Sequence, residues 1–168
     1  MKKMLQQLAA YNVWANQRLM AFILSVPEEL TRKSFPGSFS SLYLTLLHMW
    51  VAETAWYQRL SPESGAVNPG MNFQGSLQEV IKGLSLQNEK WKQWVDDASI
   101  AQLEESITYQ NSKKETFAEP RYEILLHLFN HGTYHRGQLV SLLHQAGVHD
   151  QLPSTDFIVF CRLGQNEK

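Results

Sequence analysis

The stretch that decides the fold reads PRYEILLHLFNHGTYHRGQLVSLLHQAG and covers residues 120–147. Pro120 is typical of a helix start, and Gly147 is typical of the position just after a helix end. Between them one helical stripe carries Ile124, Leu128, His131, His135, Leu139 and Leu142. The spacing therefore predicts one long helix on which His131 and His135 point toward the core, where an imidazole needs a partner.

Three histidines on this helix, His127, His131 and His135, follow one another at steps of four residues. Residues four apart lie on nearly the same face, about 5–6 Å from each other, so two imidazoles can grip one metal ion. Each step drifts roughly 40° around the axis, which places His127 about 80° from His135. We therefore expect His127 to support the site or form a pocket rim, with a merely packed histidine as the alternative.

Composition limits the protein to a few classes. A chain of 168 residues fits one domain, residues 1–168, and its net charge of −1 does not favour a nucleic-acid partner. The single Cys161 excludes a disulfide within the chain, and we expect it to be a small buried residue on a short helix. The N-terminus meets polar residues too early for a signal peptide, and no apolar run reaches the ~20 residues that cross a bilayer. We expect a cytoplasmic protein without membrane contact.

The N-terminal segment from Lys2 to Val26 is predicted to be an amphipathic helix ending before Pro27. Asn12 and Asn16 fall on its apolar stripe. Buried amides require hydrogen-bond partners, so they either bond a neighbouring helix or a buried water, or they support a polar pocket.

A second helix follows the polar connection 27–40, begins after a cap at Ser40 or Ser41, and runs to Leu60. It is apolar almost all the way round, so it either sits centrally in the fold or carries a subunit interface, and we favour the interface. His48 lies between its two apolar stripes, with the small residues Ala52 and Ala55 toward the C-terminal end.

The remaining segments complete a bundle. The sequence S-x-x-E at 76–79 is a capping box that opens a third helix ending near Asp96 and Asp97. Residues 106–110 and 115–118 flank the turn 111–114 as a plausible hairpin, and a short helix over 155–163 follows Ser154 as its cap. We predict an all-α fold, a four-helix bundle with a short β-hairpin before the fourth helix and a short C-terminal helix.

Bundles commonly build metal sites from facing helices, and the predicted site joins His48 to His131 and His135. Three imidazoles suit zinc, nickel, copper or iron and leave a coordination position open, as in catalytic sites. Glu53, Trp56 and Arg59 are candidates for the pocket wall. Glu53 is also a candidate for acid–base work, but no catalytic residue is assigned.

With these residues in view, the chain resembles the DinB-like (damage-inducible) family of helical-bundle proteins over nearly its whole length. The resemblance is carried by YNVWANQRL at 11–19, LLHMWVAETAWYQRL at 46–60, ITYQNSKKETF at 107–117, HLFNHGTYHRGQL at 127–139 and DFIVFCR at 156–162. It implies a metal triad of His48, His131 and His135, one divalent metal per chain (zinc or nickel first, then iron or manganese) and a homodimer. The wider superfamily includes transferases that depend on bacillithiol or mycothiol.

Two hypotheses about function remain. In the first, the protein is a metal-dependent enzyme, a thiol S-transferase or a hydrolase, in which a small electrophilic molecule meets a low-molecular-weight thiol or water activated by the metal. In the second, it is a non-catalytic metal- or ligand-binding protein of the stress response. A fold and a ligand set do not choose between them.

Overall fold

Four long helices dominate the computed structural model, which describes residues 1–111 and 113–163. The elements are α1 (Lys2–Leu24), α2 (Glu28–Arg32), α3 (Leu42–Leu60), α4 (Leu77–Asp97), α5 (Ile100–Glu104), β1 (Ser106–Gln110), β2 (Thr116–Pro120), α6 (Arg121–Gln145) and α7 (Phe157–Leu163). Helices α1 and α3 each pack against both α4 and α6, which closes the bundle. The prediction of an all-α four-helix bundle with a hairpin before the fourth long helix and a short C-terminal helix is confirmed. No helix in the described ranges has the length and apolar character needed to cross a membrane.

The helix starts follow from local capping chemistry. The Ser41 hydroxyl accepts a hydrogen bond from the Leu44 amide at 3.2 Å, and Ser76 and Glu79 form a reciprocal capping box. Elsewhere the predicted boundaries shift by one or two residues. Helix α1 ends at Leu24, β2 starts at Thr116, and α7 starts at Phe157.

Two short helices and one cysteine differ from expectation. Helix α2 lies inside the segment predicted to be a plain polar connection, and α5 follows α4 with its own capping box. Five residues are too few to show a helical period, so neither was predicted. Cys161 is partly exposed rather than buried, and its sulfur accepts a hydrogen bond from Gln7 at 3.3 Å.

Helix α3 owes its apolar character on two sides to packing within one chain. Leu46 and Leu47 are both fully buried, and α3 contacts α4 on one side and α6 on the other. A central position in the bundle therefore accounts for these apolar side chains. The subunit interface expected from these side chains, and the homodimer that the family resemblance implies, stay predictions.

The hairpin leans on the bundle, as a two-stranded sheet must for stability. Its strands pair antiparallel with Ser106 opposite Pro120 and Gln110 opposite Thr116. Ile107 and Tyr109 pack against the core, and the Tyr109 ring lies 5.0 Å from the ring of Trp56 on α3. The hairpin is thereby fixed beside the start of α6.

The core consists of two apolar clusters separated by a polar layer. One cluster includes Leu19, Leu46, Leu84 and Leu139, and the other includes Leu5, Leu60, Trp91 and Leu125. Between these positions each long helix contributes polar side chains that are at most 2% exposed: Asn12, Asn16, Glu53, Asn88 and Arg136. We call these five residues the polar layer.

Hydrogen bonds connect the polar layer across all four long helices. The Nη1 atom of Arg136 donates to the Oδ1 atoms of Asn12 and Asn16 at 2.8 and 2.9 Å. Asn16 donates to Asn88 at 2.8 Å, and Asn88 donates to the Oε2 atom of Glu53 at 2.6 Å. The two asparagines of α1 therefore bond neighbouring helices, which was one of the two alternatives.

Helix α6 approaches α1 closely at Gly132, beside the polar layer. A Cβ atom at this position would lie 2.7 Å from the Oδ1 atom of Asn12 and 3.3 Å from the Nη1 atom of Arg136. No side chain larger than hydrogen fits there without displacing a buried hydrogen bond.

We expect Gly132→Ala to destabilise the protein by about 1–3 kcal/mol, because the new methyl group pushes Asn12 away from Arg136. Gly137→Ala is the matched control, since a Cβ atom at Gly137 on the same helix meets nothing within 4 Å. That change should stabilise the protein by about 0.5–1 kcal/mol through helix propensity. Urea unfolding of both variants measures the difference, and equal effects of the two would contradict the close approach.

Candidate metal centre

The fold brings the three predicted histidines together. His48 comes from α3, and His131 and His135 come from successive turns of α6, which packs against α3. The Nε2 atom of His131 lies 3.2 Å from that of His48 and 2.9 Å from that of His135. Ligand atoms of all three side chains lie within 4.8 Å of one another. His48 and His131 are half-buried, and His135 is buried.

These separations match those of nitrogen ligands around one metal ion. Imidazole nitrogens bound to zinc at 2.0–2.1 Å are about 3.3 Å apart in tetrahedral geometry and about 3.0 Å apart when the ligand angle closes to 90°. The observed distances of 2.9 and 3.2 Å fall close to both values. The three side chains could therefore hold a metal ion without rearrangement of the helices.

Hydrogen bonds within the cluster cannot satisfy all three Nε2 atoms. The Nδ1 atom of His135 lies 2.7 Å from the Oε1 atom of Gln138, and an amide oxygen only accepts, so Nδ1 carries the proton and Nε2 is bare. His131 must then direct one N–H toward His135 while also facing the Nε2 atom of His48. One proton would be shared by two lone pairs, whereas a cation would be bound by all three lone pairs.

Burial keeps these imidazoles neutral. The pKa of His48 falls to about 4, mainly through burial and then through the neighbouring His135. The pKa of His131 falls to about 3 through burial and then through His135, His48 and His127. Burial also lowers the pKa of His135, partly opposed by the bond to Gln138. At neutral pH all three are in the unprotonated form that binds metals.

Two aromatic rings cover the cluster. Phe39, from the connection before α3, stacks on His48 with ring centroids 4.1 Å apart and an angle of 22° between the planes. Tyr134 lies edge-on to His135 at 5.1 Å. None of the three residues Phe39, Tyr134 and Gln138 was predicted from the sequence to be part of the site. Gln138 could have been found from its position three residues after His135, whereas Phe39 comes from a loop that shows no periodicity.

The other histidines lie outside the cluster. His127 is exposed, with its ring centroid 6.0 Å from that of His131, and it lines a cavity of 300 Å³ together with Trp56. His144 and His149 stack on each other at 5.4 Å. A separate cavity of 260 Å³ beside Trp94 touches none of these imidazoles.

Of the three pocket-wall candidates, Trp56 lines the cavity beside His127, whereas Arg59 and Glu53 are not among its lining residues. Arg59 lies over the ring of Trp56, 4.4 Å from its centroid. Glu53 belongs to the polar layer, where its Oε2 atom accepts from Asn88 and its Oε1 atom has no partner among the described residues. Burial raises the pKa of Glu53 to about 8, opposed by the hydrogen bond from Asn88, by the nearby amide of Asn12 and by the charge of Arg136. The carboxyl group is therefore protonated at neutral pH.

Comparison with known proteins gives consistent results. The sequence profile of the DinB family matches residues 1–167 of this chain. The chain is also 27% identical over 169 residues to Protein DinB of Bacillus subtilis (strain 168), with 96% of each chain covered.

We expect Glu53 to make the protein less stable as pH rises from 4.5 to about 8. In this window the folded protein holds the proton that the unfolded chain has lost, so stability falls by up to about 1.4 kcal/mol per pH unit. Glu53→Gln keeps a neutral side chain of the same shape and should remove this decline.

Urea unfolding of the wild type and Glu53→Gln at several pH values measures the difference between the two curves. Glu29→Gln, at an exposed position on α2, is the control and should follow the wild type. Parallel curves for the wild type and Glu53→Gln would show that the Glu53 carboxyl is not protonated in the fold.

Proposed function

The chain belongs to the DinB family, and from this membership and the imidazole cluster we propose that His48, His131 and His135 hold one divalent transition metal. We further propose that the protein is a metal-dependent enzyme, a thiol S-transferase or a hydrolase that acts on a small electrophilic molecule. Zinc and nickel are the first candidates because imidazole nitrogen suits both, with iron and manganese after them.

The observation that carries the proposal is the convergence of three neutral imidazoles without a fourth protein ligand. Among the residues that the structure describes, the group of possible ligands has three members. Structural zinc sites are normally closed by four protein ligands, whereas catalytic sites have three and leave a position open to water or substrate.

The surrounding residues have defined tasks in such a site. A divalent metal would supply Lewis acidity, which lowers the pKa of a water molecule or thiol toward neutrality. Gln138 orients His135 through its Nδ1 atom, so that Nε2 faces the other two imidazoles. Phe39 shields His48 from water by stacking on it, and the cavity beside His127 offers space for a substrate next to His131.

A non-catalytic metal-binding protein is the second candidate, and the cover provided by Phe39 favours it. A ring stacked at 4.1 Å on one imidazole limits access to the cluster from that side. The two functions differ in a measurable way. A structural metal would stabilise the fold strongly, so a chelator would lower the melting temperature by many degrees. A catalytic metal would instead keep an exchangeable water ligand in its open coordination position.

We expect about one divalent metal ion per chain in the wild-type protein purified without an affinity tag, and little in His131→Ala, because His131 faces both other imidazoles. Elemental analysis measures the metal content. His144→Ala is the matched control, since His144 is a histidine of the same helix outside the cluster, and it should retain the metal.

An absence of metal from the wild type, even after reconstitution with zinc and nickel, would overturn the proposal. Metal loss from His144→Ala equal to that from His131→Ala would also count against this site.

We expect Gln138→Leu to weaken metal binding by about 10–100-fold, because loss of the partner frees the ring and tautomer of His135. Gln145→Leu is the control on the same helix, since the Gln145 amide donates one long hydrogen bond, of 3.5 Å, to the exposed Ser141 and none to a histidine of the cluster. Competition with a coloured chelator measures both affinities. Equal affinities in the two variants would show that Gln138 does not orient the ligand.

A further inference from the structure

One cavity adjoins the histidine cluster without belonging to it. It has a volume of 300 Å³ and is lined by Trp56, Tyr109, Glu119, Glu123, Ile124 and His127. We call it the aromatic cavity. Its walls come from the C-terminal half of α3, both strands of the hairpin and the first two turns of α6. Its volume is at the lower end of the range for small-molecule sites.

Three aromatic rings form a corner of the aromatic cavity. The Trp56 ring lies 5.0 Å from the ring of Tyr109 at an angle of 72°, and 5.5 Å from the ring of His127 at 66°. The faces of tryptophan and tyrosine rings carry negative potential and attract cations. The chain already uses this property, because the Arg59 guanidinium lies 4.4 Å from the centroid of Trp56 and 5.4 Å from that of Tyr109.

Two carboxyl groups add negative charge to the same walls. The Oε2 atom of Glu119 is buried and has no hydrogen-bond partner among the described residues. The Oε1 atom of Glu123 accepts a hydrogen bond from the Tyr122 hydroxyl at 3.0 Å. In the described part of the chain neither group forms an ion pair, since the two ion pairs there are Lys92–Asp96 and Arg121–Glu105.

The electrostatics of the aromatic cavity select among ligand classes. The pKa of Tyr109 is raised first by burial and then by the hydrogen bond and charge of the adjacent Glu119, and the charge of Arg59 opposes this shift. An anion would be repelled by two carboxylates. A neutral apolar ligand would leave the buried Oε2 atom of Glu119 without a partner, at a cost in binding. A cation is attracted by the two carboxyl groups, which outnumber the one guanidinium group of Arg59 beside these rings, and it gives the buried Oε2 atom of Glu119 a partner.

We propose that the aromatic cavity binds an organic cation, the ammonium group of a small molecule. The ring of His127 borders the cavity and lies 6.0 Å from that of His131, so the cavity is one side chain away from the histidine cluster. That the same molecule is the substrate rests on the proposed function. Binding of the cation itself does not, because the cavity walls contain none of the three metal ligands.

The test uses choline and its uncharged carbon isostere, 3,3-dimethylbutan-1-ol, on the full chain in the presence of a chelator. Calorimetry should detect choline binding in the millimolar range, with the isostere bound about tenfold more weakly, because only choline gains cation–π and carboxylate attraction. Choline should also shift the indole N–H resonance of Trp56, assigned through Trp56→Phe. Equal binding of the two compounds, or no choline binding by the folded protein, overturns the proposal.

Variants locate the binding. Glu119→Gln keeps the shape of the side chain, removes its charge, and should weaken choline binding about fivefold while leaving the weak binding of the isostere unchanged. Glu29→Gln makes the same charge change on α2 and should bind choline like the wild type. Equal choline affinity in Glu119→Gln and Glu29→Gln would place the cation elsewhere and overturn the assignment. Because metal-free protein is used, failure here leaves the metal proposal standing, and failure of the metal proposal leaves this test intact.

Discussion

The buried guanidinium group of Arg136 is the constraint on which the rest of the structure depends. Placing a charged group in a protein interior costs several kcal/mol unless hydrogen bonds replace its hydration. Arg136 is 2% exposed, and two of its partners, Asn12 and Asn16, stand on another helix. Asn16 is connected through Asn88 to Glu53, so the hydrogen bonds that begin at Arg136 reach all four long helices. Apolar contacts tolerate sliding, but this chain of directional bonds fixes the axial register of the bundle.

The same constraint sets the orientation of the histidines. Arg136 directly follows His135, and consecutive residues of a helix point about 100° apart. Because Arg136 points toward α1, His135 and His131, which lies one turn before it, point toward α3. There the Nε2 atom of His48 lies 3.2 Å from that of His131. The imidazole geometry is therefore a product of the polar layer as much as of the three histidines. It also explains the small residue at Gly132, where α1 and α6 come too close for a side chain.

Much of this architecture could be predicted from the sequence, because its long helices carry strong periodic patterns and clear caps. The three histidines of the cluster could be chosen from spacing, from the predicted burial of two of them, and from the small residues beside His48. Contacts across sequence distance could not be predicted in this way. Glu53 was a candidate for the pocket wall and for acid–base work, yet its partner is Asn88 on α4. Phe39 and Tyr109 reach their places through a loop and a hairpin, whose positions follow from tertiary packing alone.

The hairpin and the long helices contribute side chains to different parts of this region. The helices α3 and α6 hold the imidazoles, and their geometry is tied to the polar layer inside the bundle. Tyr109 and Glu119 reach the aromatic cavity from β1 and β2, which form a two-stranded sheet of their own within the described ranges. Substitutions of Tyr109 and Glu119 would therefore alter the shape and charge of the cavity at positions that belong neither to the polar layer nor to the histidine cluster. In evolutionary terms, the hairpin is a module in which the lining of the cavity can diversify while the geometry of the three imidazoles is inherited unchanged.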